Sequence, residues 1–234
     1  VGGGTLTNTE DSPSNVFAVI NPLTLSASQY TLANGNLSTD GNASNAWRSL
    51  YGTIGASSGK YYFEMKVIGV NGADLNNFFI GIIDAEQMVN TANNSNTSGL
   101  SRSYQYHAQS GNKVNNSVFS SYGSIYTIND IIGCAFDLDN NKIYWSKNGV
   151  WQNSGDPTSG ATGTGSAFDL ATGYTYLPSV SSYYSAEKVS ANFGNGYFGT
   201  TAVSSAGTNA SGIGIFEYDV PTGYTALSTK GLNL

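Results

Sequence analysis

Between Asp130 and Gly149 the chain alternates apolar and polar side chains, turns at a cluster of Asp and Asn, and alternates again. Ile132, Cys134, Phe136 and Leu138 share one face, Asp139-Asn140-Asn141-Lys142 reverses direction, and Ile143-Tyr144-Trp145 returns. Period two on either side of residues that tolerate positive φ is the pattern of a β-hairpin. Lys147-Asn148-Gly149 marks the next turn. A second segment, Gly59 to Val67, alternates as cleanly: Tyr61, Phe63, Met65 and Val67 point one way, Tyr62, Glu64 and Lys66 the other. That is the pattern of a half-buried strand, with Glu64 on its outward face. Phe78 to Ile83 is a short apolar run suited to a more deeply buried strand, and further strands are expected at 177–181, 189–193 and 216–218. No stretch of a dozen residues shows a helical stripe, so the chain is all-β.

Composition narrows the function. Only 10% of residues are charged, against roughly 25% in an average globular chain. A net charge of -6 speaks against nucleic acid, whose phosphates require clustered Lys and Arg. One Cys excludes an internal disulfide framework and a Cys-rich zinc site, and one His leaves little for a His-based metal centre. No run approaches a membrane helix, so no membrane insertion is expected. With 12% aromatic residues the chain has too much apolar side chain for disorder. Residues 1–15 read as a polar, Gly-rich lead-in, and residues 16–234 as a single domain. Three polar stretches interrupt the strands, at 90–103, 153–166 and 200–212; loops this long are commonly functional or mobile.

Several motifs follow one another in a fixed order. They are Ile20-Asn21-Pro22-Leu23, Ser58 to Val67, Ile80-Gly81-Ile82, Asp130 to Gly149, Ser190 to Gly194, and Val220-Pro221-Thr222-Gly223-Tyr224. In order and spacing they resemble a SPRY domain over roughly residues 17–230. The resemblance implies a bent antiparallel β-sandwich of the concanavalin-like jelly-roll kind, with partner-binding loops on one side and no enzymatic activity. The two ends, Asp11 to Pro22 and Phe216 to Thr229, are similar to SPRY-like modules of tailed-bacteriophage fibre and decoration proteins. On that likeness the expected role is a structural or recognition module on a virion surface. Its partners would be other virion proteins, with host-surface glycan or protein as candidate ligands; a homo-oligomer is compatible with this. The alternatives are an intracellular SPRY adaptor that binds a peptide, or an assembly module with no host ligand.

Asp137, Asp139, Asn140 and Asn141 superficially resemble a calcium loop, but the sixth and twelfth positions are Lys142 and Asn148 where an EF-hand needs Gly and Glu. The turn reading is preferred, and no metal or cofactor is expected. Glu64, Asp84, Glu86, Asp130, Asp169 and Glu187 offer no evident catalytic pair. His107, in Tyr104-Gln105-Tyr106-His107, has no nucleophile and carboxylate arranged around it in sequence. Aromatic side chains are the remaining candidates for binding, because a rigid ring contributes contact area at small entropic cost. Trp145 lies inside the hairpin and is expected in the core. The candidate binding residues are Tyr104, Tyr106, His107, Trp151, Tyr183 and Tyr184, with Trp47 a further aromatic of interest and ordinary packing the competing role.

Overall fold

A computed structural model describes residues 11–24, 31–39, 45–72, 77–90 and 96–234. The expected hairpin is present as β9 (Ile131–Asp137) and β10 (Lys142–Lys147), paired from Ile132 opposite Lys147 to Asp137 opposite Lys142. Asp137 makes the turn: its Oδ1 accepts the backbone N–H groups of Asp139 and Asn140, and Asn141 takes a φ of 58°. A carboxylate so engaged, and paired with Lys60 at 3.0 Å, is a turn anchor.

Around this ribbon a nine-stranded sheet is laid out. It runs β1 (Leu32–Ala33), β2 (Ser38–Thr39), β14 (Lys188–Asn192), β4 (Lys60–Gly69), β9, β10 and β11 (Val150–Trp151), with β12 (Phe168–Asp169) also on β10. The second sheet has six strands: β3 (Arg48–Tyr51), β13 (Tyr176–Ser182), β5 (Phe79–Asp84), β6 (Ser103–His107), β7 (Lys113–Asn115) and β8 (Val118–Ser120). A ribbon of β15 (Tyr197–Phe198) and β16 (Thr201–Ala202) stands apart, and one short helix, α1 (Ala85–Asn90), follows β5. Among the described residues the pairings between strands are antiparallel except one: β17 (Thr225–Ala226) runs parallel to β4, opposite Tyr61 and Tyr62.

The two sheets pack face to face as a sandwich. Phe63, Met65, Ile132, Phe136 and Trp145 from the first meet Leu50, Ile80, Ile82, Tyr106 and Val180 from the second, all essentially buried. Each side chain of this size contributes about 1.5–3 kcal/mol when taken from water.

The first sheet is buried on its other face as well, which corrects the expected surface role of Glu64. Phe17, Ile213, Phe216, Val220, Tyr224 and Ala226 form a second apolar layer over Tyr62, Ala135 and Tyr144. Glu64 lies beneath it, fully buried. Its carboxylate accepts four hydrogen bonds: from Tyr62 Oη (3.0 Å), Asn192 Nδ2 (3.2 Å), and the backbone N–H groups of Glu217 and Tyr218 (2.9 Å each). Residues 216–218, expected as a strand, are therefore not part of a ladder; two of their N–H groups go to Glu64 instead.

The polar stretches are tied down locally. Residues 97–99 and 157–162 form 3-10 turns, the latter begun by Asp156, which accepts from Thr158 N–H. In the third stretch Glu217 accepts from Ser204 N–H and Asp219 from Thr208 N–H. Residues 91–95 and the first ten residues of the lead-in lie outside the described residues; the rest of the lead-in closes a turn between Ser12 and Asn15, and Asp11 accepts from Phe17 N–H.

Candidate functional site: an aromatic strip on the second sheet

Strand register brings several distant aromatic residues to one end of the second sheet. Ser182 pairs with Arg48, Ser181 with Phe79, and Phe79 with His107. The residues just outside this row, Trp47 before β3 and Tyr183 after β13, therefore sit at the same end. Side chains at Phe79 and His107 alternate away from the core, since their neighbours Ile80 and Tyr106 point into it.

The result is a continuous line of rings. Phe119 lies against His107 at 5.4 Å and Phe79 at 6.3 Å, His107 stacks on Phe79 at 4.7 Å, and Phe79 contacts Trp47 at 6.1 Å. Trp47 meets Tyr183 edge-on at 5.6 Å, and Tyr183 meets Tyr184 at 5.2 Å. Phe79 is buried, while Trp47, Tyr183 and Tyr184 are half-buried and Phe119 is 47% exposed. The strip thus has a buried centre and solvent-facing members on both sides.

Its backbone is held by buried polar groups. Glu187, fully buried, accepts the N–H groups of both Tyr183 and Tyr184 at 2.9 Å. Ala46 N–H donates to Tyr183 carbonyl, and Arg48 Nη1 donates to Ala46 carbonyl. His107 Nδ1 is 2.8 Å from Ser110 Oγ, and Gly111 N–H donates to His107 carbonyl. Such an arrangement presents fixed, apolar, flat surfaces with polar rims, suited to packing against a partner side chain.

The six candidate binding residues divide between three places. His107, Tyr183 and Tyr184 meet in the strip. Tyr104 and Tyr106 point into the sandwich core, Tyr104 against Phe168 and Tyr176, and Tyr106 stacked on Trp145 at 5.7 Å with its hydroxyl on Ser124 carbonyl. Their odd-even relation to His107 puts them on the opposite face of β6. Trp151 packs against Tyr62 at 6.3 Å, beside the second apolar layer, on the first sheet. Phe79 and Phe119 were not singled out from the sequence: one sits in a run that reads as core, the other in a three-residue strand with no distinguishing pattern. Glu187 stood only among possible catalytic carboxylates.

A cleft of about 370 Å³ lies elsewhere, bounded by Lys60, Tyr61, Asp139, Ser211, Tyr224 and Leu234. Its ionic groups are already engaged, Lys60 with Asp137 and Asp139 with Gly59 N–H. Among the described residues no three His, Cys, Asp or Glu side chains gather as metal ligands would.

Comparison with known proteins identifies the fold and alters the expected setting. The SPRY domain family matches residues 60–196, and the chain belongs to it. SPRY domains are protein-interaction modules, generally without catalytic activity. The crystal structure of the SPRY domain of human HERC1 superposes with a TM-score of 0.56 at 21% identity, covering 74% of this chain and 96% of that one. A second human SPRY domain gives 0.50 at 17% identity, covering 70% and 94%. Among curated relatives, the Drosophila melanogaster Ran-binding proteins 9/10 homolog is 34% identical over 146 residues, 60% of this chain and 13% of the relative. Danio rerio Ran-binding protein 9 is 37% identical over 97 residues, 41% of this chain and 15% of the relative, and human Ran-binding protein 9 is 36% identical over the same length, covering 12% of it. The chain thus spans a small part of these relatives. Their identity overturns the virion reading: a role on a virion surface, with virion neighbours or host glycan, rested on likeness at the two ends, and the matches run instead to Ran-binding proteins of fly, fish and human.

Proposed function

We propose that the protein is the recognition module of an intracellular adaptor, residues 16–234 acting as one unit that binds a short segment of a partner protein without covalent chemistry. The observation that carries this is the strip of rings from Phe119 to Tyr184, open to solvent at both ends and rigid beneath. Interface hot spots favour such pre-ordered aromatic groups because little rotamer freedom is lost on binding. The likeness to Ran-binding proteins supports an adaptor role and makes Ran the first protein to titrate.

The test is calorimetric titration of the purified domain with Ran and with peptides selected on it from a library of random linear sequences. Trp47→Ala and Tyr184→Ala are each expected to weaken binding by about tenfold or more, with the circular dichroism spectrum unchanged. Full affinity in both variants would remove the strip from the binding surface.

A further inference from the structure

We infer that the free edge of β8 takes up the partner's backbone as an additional strand, so that the bound segment is an extended, proline-free polypeptide with an apolar side chain opposite Phe119. This deepens the peptide-recognition reading above and rests on it.

β7 and β8 are joined by Asn116 and Ser117, both with positive φ (50° and 62°), a two-residue turn that fixes the register of the hairpin. Asn115 faces Val118, Val114 faces Phe119, and Lys113 faces Ser120. In a hairpin of this kind the pair flanking the turn exchanges both hydrogen bonds, and bonded and unbonded pairs then alternate. Phe119 therefore belongs to an unbonded pair, and its N–H and C=O point away from β7. The next strand over agrees: His107 N–H donates to Asn112 carbonyl, which by the same alternation turns the Val114 backbone groups toward β6 and not toward β8.

Those outward groups have no partner among the described residues, and β8 has β7 as its neighbour on one side alone. Strand edges left in this state are ordinarily guarded by Lys, Pro or a bulge. Val118-Phe119-Ser120 has none of these, and its apolar members are open: Val118 is 62% exposed and Phe119 47%. The hairpin is also braced, because Asn116 and Ser117 N–H donate to Leu100 and Ser98 carbonyls. A rigid, unguarded, apolar edge is the geometry of strand addition, in which main-chain bonds supply affinity and alternate side chains supply selectivity. It is continuous with the strip, since the Phe119 ring touches both His107 and Phe79. In antiparallel addition, the orientation of the other pairings in this sheet, a partner residue hydrogen-bonded to Phe119 would place its side chain on that same face, and its two neighbours on the other.

The experiment uses peptides selected on the intact domain from random linear sequences, each resynthesised with a single N-methyl group moved along its backbone. Strand addition predicts that one position opposite Phe119 loses about tenfold or more in affinity while the residues before and after it do not. The Phe119 amide should also exchange more slowly with solvent in the peptide-saturated domain, read by NMR. Uniform tolerance of N-methylation, or unchanged exchange at Phe119, overturns strand addition; if Tyr184→Ala still weakens those peptides, the strip reading stands without it. An alternating N-methyl pattern that is indifferent to Tyr184→Ala keeps the edge and removes the strip. A library that yields no binder refutes both.

Discussion

Glu64 is held by four donors, with no solvent in contact with it. Burial raises its pKa to about 7, and the bonds from Glu217, Tyr218, Tyr62 and Asn192 only partly oppose that rise. An acid whose folded pKa exceeds its unfolded value favours the folded state when protonated. That contribution is complete below the unfolded value, near pH 4.5, and is lost as pH climbs through about 7. Over this window the loss is on the order of 3 kcal/mol. Urea unfolding at a series of pH values should show stability falling from pH 5 to 8, and Glu64→Gln should flatten the slope. A wild-type curve with no decline across that range would mean the carboxylate is ionised throughout. The alternation in the sequence did place Glu64 on the face opposite Phe63. What it could not disclose is that this face is covered, because most of the covering layer, including the Glu217 and Tyr218 N–H donors 153 and 154 positions on, comes from the far end of the sequence.

Strand pairing explains why one small motif, Ile80-Gly81-Ile82, has the residue it does. A Cβ on Gly81 would stand 1.9 Å from Tyr104 carbonyl O and 2.9 Å from Gln105 Cα, both backbone atoms of β6. Neither can move aside without breaking the ladder from Phe79 to Ile83 that sets His107 beside Phe79. Gly81→Ala is therefore expected to cost about 2–4 kcal/mol, more than an ordinary surface change, and to displace the strip along with the strand. Thermal unfolding followed by the His107 ring resonances would register both effects; a variant with wild-type stability would show that β6 can retreat. At this scale the sequence was informative wherever a strand is long and alternating, as in β4, β9 and β10. It was poor for β7 and β8, whose three residues each carry no period. For 216–218 a strand is expected from the sequence, yet the Glu217 and Tyr218 N–H groups are spent on the Glu64 side chain.

At the scale of the whole molecule, the proposed function assigns recognition to one sheet and leaves the other to stability. The first sheet is enclosed between the sandwich core and the layer made by Phe17 and residues 213–226, and this closure links the two ends of the chain: Ala18 N–H donates to Leu227 carbonyl, and Phe17 pairs with Ser228. The central strands of the second sheet are buried on both faces, and in the reading proposed above this sheet meets its partner at the free edge of β8 and the exposed ends of the strip. A single order of motifs in the sequence was enough to indicate the sandwich, because each motif is a strand or turn whose residues are dictated by local packing. The setting was not legible, since likeness at the two ends concerns the covering layer and says nothing of the strip. This division predicts independence. Phe216→Ala removes a buried ring 5.0 Å from Tyr62 and should cost about 3–5 kcal/mol, lowering Tm by about 10 °C. It should leave peptide affinity at the strip unchanged under conditions where the domain remains folded. Tyr184→Ala should do the reverse, weakening affinity with little change in Tm. Combined, the two effects should add to within about 0.5 kcal/mol in each quantity, as expected for sites that share no partner. A marked loss of affinity in Phe216→Ala alone would show instead that the covering layer and the binding sheet are coupled through the core between them.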